Sequence, residues 1–289
     1  MILGAPRSGT TFLVDALSAA SRTAAIAGRI HPSSMASIAA NVDDPATLRA
    51  LRHTLQFALT EHHRWVQQSR ADAIGAFTAR NATMSDVLAA FRRRRVVDHV
   101  VFKEPFLALN PTYVLDSLPA ARIVHLHRDG RDVAASLVRS YDVLSDEHLA
   151  SPDSNEVVIG TFDRGVWVPW WVPEAARPSF PEMAQMDRAL LLWATMARNG
   201  HEAALAHPDQ VLEIRYETLV ADPVSTADRI CEHLGLQRSR IMTTRLRRAT
   251  TRSIGRGSAQ RTTSVVVHDE TAAVFEALGY DPLPRPGTR

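Results

Sequence analysis

The sequence predicts an α/β fold of three layers, in which helices flank a central parallel sheet of about five strands. Short apolar runs alternate along the chain with stretches whose apolar residues recur at helical spacing. The first apolar run leads through a glycine-bounded loop into the first helix, which makes the predicted fold P-loop-like. At 289 residues the chain is long enough to bury one large core. We therefore expect residues 1–289 to form a single domain.

The first element is the segment MILGAPRSGTTFLVDALS, in which Ile2 and Leu3 end a short buried strand. Between this strand and the first helix, Gly4 to Thr11 has the P-loop spacing, with two glycines five apart and a hydroxyl two beyond the second. Backbone N–H groups converge in such a loop, and the helix dipole adds positive potential. The loop is therefore a candidate anion site, formed by Pro6, Arg7, Ser8, Gly9, Thr10 and Thr11.

Two positions in this loop argue against the usual P-loop ligand. Thr10 stands where a Walker A loop has its lysine, and Arg7 supplies a basic side chain inside the loop instead. We expect the loop to hold a phosphate-like group without binding a nucleotide triphosphate in the usual way. The alternative is an ordinary turn of small residues after a strand.

A second strand is predicted over Ala24–Ala27, and Gly28 ends it. Loops that leave the carboxyl ends of parallel strands line the ligand crevice of such folds. This places His31, in the next loop, on the same rim as the anion loop. Its imidazole is either a functional group there or an ordinary surface or capping residue. Residues 43–95 then read as helices with polar breaks.

The third strand is predicted over Val100–Phe102, and it ends in Lys103, Glu104 and Pro105. Lys103 is the only lysine among the 33 basic residues of the chain. A compact ammonium group at one position of an otherwise arginine-only chain suggests a role that the planar guanidinium cannot fill. The alternative is that one lysine is present there by chance.

The fourth strand, Ile123–Leu126, is followed by a turn over Arg128–Arg131 and a helix beginning near Val133. Another helix N-terminus thus carries arginine and, at Ser136, a hydroxyl group. The turn is a second candidate anion site on the same edge of the sheet. Alone, it could equally be an ordinary charged turn.

Residues 143–186 depart from regular elements, and Trp167, Trp170 and Trp171 stand there among prolines. Long irregular segments in compact domains often serve as lids or binding loops. The tryptophans either line a pocket or anchor the segment to the body of the protein, and the sequence favours neither. The remaining predicted elements are a helix over Leu190–Ala204, a strand over Val211–Ile214 and a final helix over Glu270–Leu278.

The amino-acid composition indicates a globular protein and argues against nucleic-acid binding, disulfide bonds and membrane segments. Apolar residues make up 45% of the chain and charged residues 22%, as in soluble globular proteins. The net charge is only +2 and the arginines look dispersed, so we expect no nucleic-acid partner. Cys231 is the only cysteine, which excludes an internal disulfide. No stretch has the form of a signal peptide or a membrane span, and we expect a cytoplasmic protein.

Four segments, in order, resemble the sulfotransferases that use 3′-phosphoadenosine-5′-phosphosulfate (PAPS). PRSGTTFL resembles their 5′-phosphosulfate loop, and HLHRDGRDVAASL resembles their 3′-phosphate segment. IRYETLVADP is similar to the strand and turn whose tyrosine approaches the adenine, and RSIGRGSAQR partly resembles the late loop over the 3′-phosphate. The donor-binding residues that this resemblance adds to the first loop are Arg128, Ser136, Tyr216, Arg256 and Gly257.

The resemblance implies transfer of a sulfuryl group from PAPS to a hydroxyl group, with 3′-phosphoadenosine-5′-phosphate (PAP) as product and no metal ion. Lys103 would then approach the bridging and leaving oxygen of the donor. The acceptor is expected to be an apolar, aromatic or glycosidic small molecule, with 143–186 as an insertion or lid on the acceptor side and its three tryptophans as substrate contacts. The oligomeric state stays open, with a homodimer as one option.

The catalytic base departs from the family pattern. The cytosolic branch of the family has a histidine two positions after the strand-three lysine, where this chain has Pro105. Other branches have a glutamate in the loop after strand two, where this chain has no carboxylate but has His31. An imidazole accepts a proton readily near neutral pH. His31 is therefore our first candidate for the base and Glu104 the second, because Glu104 could instead orient Lys103.

Two other functions stay open. A P-loop kinase or NTPase would use Asp129 as a magnesium ligand after the fourth strand, but the missing loop lysine argues against it. A non-catalytic module that binds PAP or PAPS would also fit the segments, given the displaced base.

Overall fold

The computed structural model describes most of the chain. The described residues are 1–26, 34–68, 98–151, 159–249, 251, 254–257, 259 and 262–286. His31 lies outside them. Within this part of the chain, no helix is both long and apolar enough to cross a membrane.

The described residues form seven strands and eleven α-helices. The strands are β1 (Ile2–Leu3), β2 (Thr23–Ile26), β3 (His99–Phe102), β4 (Ile123–His127), β5 (Gly160–Asp163), β6 (Val166–Pro169) and β7 (Val211–Arg215). The helices are α1 (Thr10–Leu17), α2 (Ser34–Asn41), α3 (Pro45–Gln68), α4 (Pro111–Ser117), α5 (Gly130–Tyr141), α6 (Asp146–Ala150), α7 (Gln185–Ala206), α8 (Tyr216–Ala221), α9 (Pro223–Leu234), α10 (Arg240–Leu246) and α11 (Val265–Ala277).

Five of these strands run parallel, as the sequence predicted. β4 lies between β1 and β7, with Ile2 opposite Val124. β2 pairs with β3, and a parallel bridge from Ile2 to Lys103 joins this pair to β1. The strand order is therefore β2-β3-β1-β4-β7. Since all five strands point the same way, the loops after their carboxyl ends meet along one edge.

Apolar residues cover both faces of the sheet, which gives the three layers. Successive residues of a strand point to opposite faces. Accordingly, Ile2 belongs to the core beneath α1 and α9, while Leu3 belongs to the core beneath α7 and α11. β4 alternates in the same way, with Val124 on the first side and Ile123 on the second.

The region 143–186 is more regular than its composition suggests. β5 and β6 pair antiparallel there as a hairpin. Its two turn residues, Arg164 (φ 46°) and Gly165 (φ 87°), both have positive φ, as a type I′ turn requires. Arginine is an unusual residue at such a position, so the turn was not recognisable from sequence.

One buried arginine ties this region to the body of the protein. Arg188 on α7 has an exposed fraction of 1% and donates to the carbonyl oxygens of Leu144 (3.0 Å), Phe180 (3.2 Å) and Pro181 (2.7 Å). It also forms an ion pair with Asp146, at 2.6 Å. One guanidinium thus satisfies carbonyl groups on both sides of the hairpin.

We expect Arg188→Ala to lower the free energy of unfolding by about 3 kcal/mol, because buried carbonyl groups lose their donor and a cavity is left. Urea denaturation measures this change. Arg229→Ala is the matched control, since Arg229 is exposed on α9 and its removal should cost less than about 0.5 kcal/mol. Equal stability of the two variants would contradict the anchoring role.

Candidate active site

The loop between β1 and α1 packs closely against Leu126 and Tyr216, and two glycines make this close packing possible. A Cβ atom on Gly4 would lie 2.1 Å from the carbonyl oxygen of Leu126 at the end of β4. A Cβ atom on Gly9 would lie 2.6 Å from the ring of Tyr216. Both glycines also have positive φ, as does Arg7 between them. Tyr216, which the sequence analysis places near the adenine, therefore packs against this loop at Gly9.

The first turn of α1 opens onto a cavity. Among the described residues no side chain caps this helix, and its first N–H groups are therefore candidate donors to a ligand. Thr10 and Thr11 line the cavity, whereas Ser8 is fully buried behind the loop. Ser8 donates its backbone N–H to Ala5 at 3.1 Å, and within the described residues its Oγ has no hydrogen-bond partner. The start of α1 therefore lines the cavity, whereas Ser8 of the loop does not.

Arg7 connects the two predicted anion sites. Its Nε donates to Ser136 Oγ on α5, at 2.9 Å. Its guanidinium also lies 5.4 Å from the ring centroid of Tyr141, at the other end of α5. The 5′ and 3′ anion sites expected from the sequence are therefore adjacent.

Lys103 and Glu104 lie at the end of β3, facing the same cavity. Lys103 Nζ donates to Thr11 Oγ1 at 3.3 Å, so the lone lysine reaches the first turn of α1. Glu104 is buried, with an exposed fraction of 3%, and its carboxylate accepts the N–H of Phe106 at 3.3 Å. Glu104 thereby caps the short 3₁₀ helix that follows.

The second anion site is built around an ion pair on the first turn of α5. Arg128 donates to Asp132 at 2.8 Å, and both side chains are buried. The guanidinium of Arg128 also lies 5.0 Å from the ring centroid of Tyr216. Trp193 Nε1 donates to the backbone oxygen of Arg128 at 2.9 Å. These contacts fix the position of the arginine before any ligand binds.

Asp132 also holds the late glycine-containing loop, a contact that the sequence did not predict. Its carboxylate accepts the N–H groups of Gly255 (2.9 Å) and Gly257 (2.6 Å). A Cβ atom on Gly257 would lie 2.2 Å from the carbonyl oxygen of Arg131, so only glycine fits there. Arg256, between the two glycines, lines the cavity. The one available signal was that Asp132, in the first turn of α5, stands four residues after Arg128 in the preceding turn.

A hydrogen-bond network of His127, Tyr280 and Glu217 holds the turn after β4. Glu217 accepts the backbone N–H of Asp129 at 3.2 Å and the hydroxyl of Tyr280 at 3.0 Å. The Tyr280 oxygen lies 3.0 Å from His127 Nδ1. Burial lowers the pKa of His127 to about 3, so its imidazole is neutral at physiological pH. The network therefore connects the C-terminal region to the second anion site.

A second carboxylate, that of Glu213, lies on β7, the strand next to β4. Glu213 on β7 is close to His125 Nδ1 (3.3 Å) and His201 Nδ1 (2.9 Å). Burial by itself would raise the pKa of Glu213, but the hydrogen bonds from the two histidines outweigh it and lower that pKa to about 2. Glu213 is thus charged and fully engaged in holding the histidines.

One cavity of about 610 Å³ unites most of the residues predicted from sequence. The predicted residues that line it are Pro6, Arg7, Gly9, Thr10, Thr11, Lys103, Glu104, Arg128, Ser136 and Arg256. Ser8, Tyr216 and Gly257 lie behind its wall. Together with Arg139, which the sequence did not single out, five cationic side chains of the described residues share this cavity with the N-terminus of α1.

The three tryptophans are not among the residues that line this cavity. Trp171 is buried edge-on against Phe180, which fits the anchoring alternative. Trp167 packs edge-on against Phe162 in the hairpin. Trp170 lines a separate cleft of about 720 Å³. Their proposed contact with substrate stays a prediction.

The described part of the chain contains no group of three or more His, Cys, Asp or Glu side chains placed to hold a metal ion. The carboxylates of Asp129 and Asp132, near the cavity, already accept hydrogen bonds from arginine side chains. Asp129, for example, accepts two hydrogen bonds from the Arg131 guanidinium, at 2.6 and 2.9 Å. Asp129 is thus occupied in a local ion pair.

Comparison with known proteins gives a family match. The model described as "Sulfotransferase family" matches residues 1–154 and 173–240. The sulfotransferase domain of the Synechococcus PCC 7002 olefin synthase superimposes with a TM-score of 0.54 at 18% identity, covering 98% of this chain and 94% of that one. A sulfotransferase from Alicyclobacillus acidocaldarius gives a TM-score of 0.43 at 18% identity, with coverages of 97% and 96%. A search of curated protein sequences finds no match.

We expect Asp132→Asn to loosen the late loop without unfolding the protein. Asparagine keeps the shape but loses the charge and offers a donor to one of the two loop N–H groups. Tryptic cleavage after Arg256, followed by mass spectrometry of the full chain, should become about tenfold faster. Asp129→Asn is the control, because Asp129 holds Arg131 rather than the loop. Unchanged cleavage in Asp132→Asn would show that its carboxylate does not hold the loop.

Proposed function

The chain belongs to the sulfotransferase family, and we propose that it transfers a sulfuryl group from PAPS to a hydroxyl group of a small-molecule acceptor. The observation that carries this proposal is the pair of adjacent anion sites in one cavity, joined by the hydrogen bond from Arg7 to Ser136. A nucleotide with phosphate groups at both its 5′ and 3′ positions needs two such sites. A donor with a single phosphate chain needs only one.

The charge of the residues around the cavity supports PAPS as the donor. The loop Pro6–Gly9 and the first turn of α1 would hold the 5′-phosphosulfate. Arg128, Ser136 and Arg256 would hold the 3′-phosphate, with Tyr216 behind them near the adenine. When bound, PAPS supplies the activated sulfuryl group, and PAP is the product that leaves.

Lys103 is proposed to stabilise the negative charge that develops on the departing phosphate. By analogy with phosphoryl transfer, the protein contributes mainly alignment and charge stabilisation. The lysine ammonium is a compact, mobile charge, and its hydrogen bond to Thr11 keeps it beside the anion loop. The protein's own cations would then serve where other phosphate-binding enzymes use a metal ion.

The proton of the acceptor hydroxyl requires a base, and His31 is our first candidate. Glu104 is the second, because it lies at the cavity wall next to Lys103. Its carboxylate also caps the 3₁₀ helix through the Phe106 N–H, which supports a role in orienting the end of β3.

The apolar part of the cavity lining supports an apolar or aromatic acceptor. Phe106, Leu137, Val143 and Leu192 form this part of the wall. Of the lining residues, only Glu104 and Asp132 are acidic, and both are engaged in hydrogen bonds within the protein. This composition favours a hydroxyl group on a hydrophobic small molecule over a basic peptide.

The test is mass spectrometry of acceptor pools incubated with PAPS, in which we expect products heavier by one sulfuryl group. Lys103→Ala should lower the turnover number by a factor on the order of 10²–10³, the usual effect of removing a charge stabiliser. Lys103→Arg keeps the charge in a planar form and should be less affected. Near-normal turnover of Lys103→Ala would refute its role.

Two outcomes of these assays would contradict the proposal and favour a different function. Tight PAP binding without any sulfated product would indicate a binding module. Activity that depends on ATP and magnesium would indicate a kinase or NTPase.

The base is tested with two further variants. We expect His31→Ala to lower kcat and to abolish the dependence of kcat on a group that titrates near neutral pH. Glu104→Gln, which preserves the size of the side chain, should retain measurable activity with that pH profile. If His31→Ala leaves kcat and its pH profile unchanged while Glu104→Gln abolishes activity, Glu104 is the base.

A further inference from the structure

Arg139 is a cation of the cavity to which the proposed function gives no role. It lies in the last turn of α5, is exposed, and lines the same cavity as Arg7, Lys103, Arg128 and Arg256. Those four side chains are proposed to contact the donor or its departing phosphate. Arg139 therefore raises the question of which other group the cavity binds.

The acidic residues that follow Arg139 in the chain are engaged elsewhere. Asp142 accepts a hydrogen bond from Gln185 at 2.9 Å, and Asp146 pairs with Arg188 at 2.6 Å. Among the described residues, none accepts a hydrogen bond from the Arg139 side chain or forms an ion pair with it. The Arg139 guanidinium is therefore a candidate donor to an anion that enters the cavity.

The position of Arg139 along α5 separates it from the second anion site. Asp132, at the centre of that site, is in the first turn of the helix, and at about 1.5 Å per residue Arg139 lies about 10 Å further along the axis. At the end of the same helix, the Tyr141 hydroxyl accepts a hydrogen bond from Arg7 at 3.4 Å. Arg139 thus lies beyond Ser136, in the turn of α5 that meets the loop proposed to hold the 5′-phosphosulfate.

Apolar side chains line the cavity together with Arg139. Leu137 and Val143, close to it in the chain, are both buried, and Phe106 and Leu192 complete the apolar lining. One guanidinium can donate two parallel hydrogen bonds to one carboxylate. A ligand that carries a carboxylate on an apolar body would therefore find a partner for each of its two parts.

We propose that the acceptor carries a carboxylate, and that Arg139 binds this group while the acceptor hydroxyl faces the 5′-phosphosulfate. This inference rests on the proposed function and deepens it, since it makes the acceptor a hydroxylated acid rather than a neutral molecule. A carboxylate and the donor phosphates repel each other, and the charge of Arg139 offsets that repulsion.

The experiment compares acceptors that differ only in this charge. The probes are para-(hydroxymethyl)benzoate and ω-hydroxydecanoate, each paired with its methyl ester. Calorimetry measures their binding to the full chain saturated with PAP, and mass spectrometry measures their sulfation by PAPS. We expect an acid to bind about tenfold more tightly than its ester and to have a correspondingly higher kcat/KM.

The variants test whether Arg139 is the source of this preference. In Arg139→Gln, the KM of the acid should rise about tenfold, while its kcat and both constants of the ester stay within about twofold. Arg139→Lys keeps the charge and should recover part of the preference. A purely structural role of Arg139 would instead change acid and ester alike and leave their ratio unaltered.

Arg229→Gln is the matched control, because it removes the same charge from a different surface. Arg229 is exposed on α9 and is not among the residues that line the cavity. This variant should keep the ratio of acid to ester that the parent shows. An equal loss of preference in both variants would show an effect of net charge alone and would overturn the proposal.

Three other results would also overturn it. They are a parent chain that binds neither acid better than its ester, a preference that Arg139→Gln leaves unchanged, and a loss of PAP affinity in Arg139→Gln, which would make Arg139 a ligand of the donor. Failure of the parent to bind PAP would instead remove the proposed function itself. A parent that binds PAP and sulfates only neutral acceptors would leave the proposed function intact and refute this inference alone.

Discussion

The parallel pairing of β1 with β4 is the constraint on which the site depends. Both strands end in a loop that starts a helix, and neighbouring parallel strands bring those helix N-termini to the same edge. The first loop also has to pack closely against the residues around the end of β4. Gly4 and Gly9 permit this, because a side chain at Gly4 would clash with Leu126 and one at Gly9 would clash with Tyr216. The hydrogen bond from Arg7 to Ser136 follows from this proximity.

Carboxylates inside the structure hold the cationic site in place. Arg128 and Arg256 would repel each other in an empty cavity, but Asp132 bonds to the first and holds the backbone on both sides of the second. Glu217 does the same for the turn that carries Arg128, through the Asp129 N–H. This candidate anion site is therefore held in place by contacts within the protein, as expected of a preorganised site.

Local signals sufficed to predict the parts of the fold that depend on local sequence. Strand, loop and helix follow one another within the first 18 residues and again after Ile123, and both candidate anion sites came from these patterns. The role of Asp132 depends on a loop more than 120 residues away, which no spacing rule reveals. Trp171 and Trp167 also could not be assigned, because an aromatic ring in a proline-rich segment packs equally well against the core or a ligand. The arginines are also not dispersed as the net charge suggested, because residues 233–268 contain eight arginines and no acidic residue.

The lone lysine has a practical consequence for chemistry on this protein. All other basic side chains among the 33 are arginines, which do not react with common acylating agents, and the ε-amino group of Lys103 faces the cavity. An active ester or aldehyde therefore meets a single lysine side chain among these 289 residues. A spectroscopic tag, a crosslinker or a tethered small molecule can therefore be attached at a residue that lines the cavity.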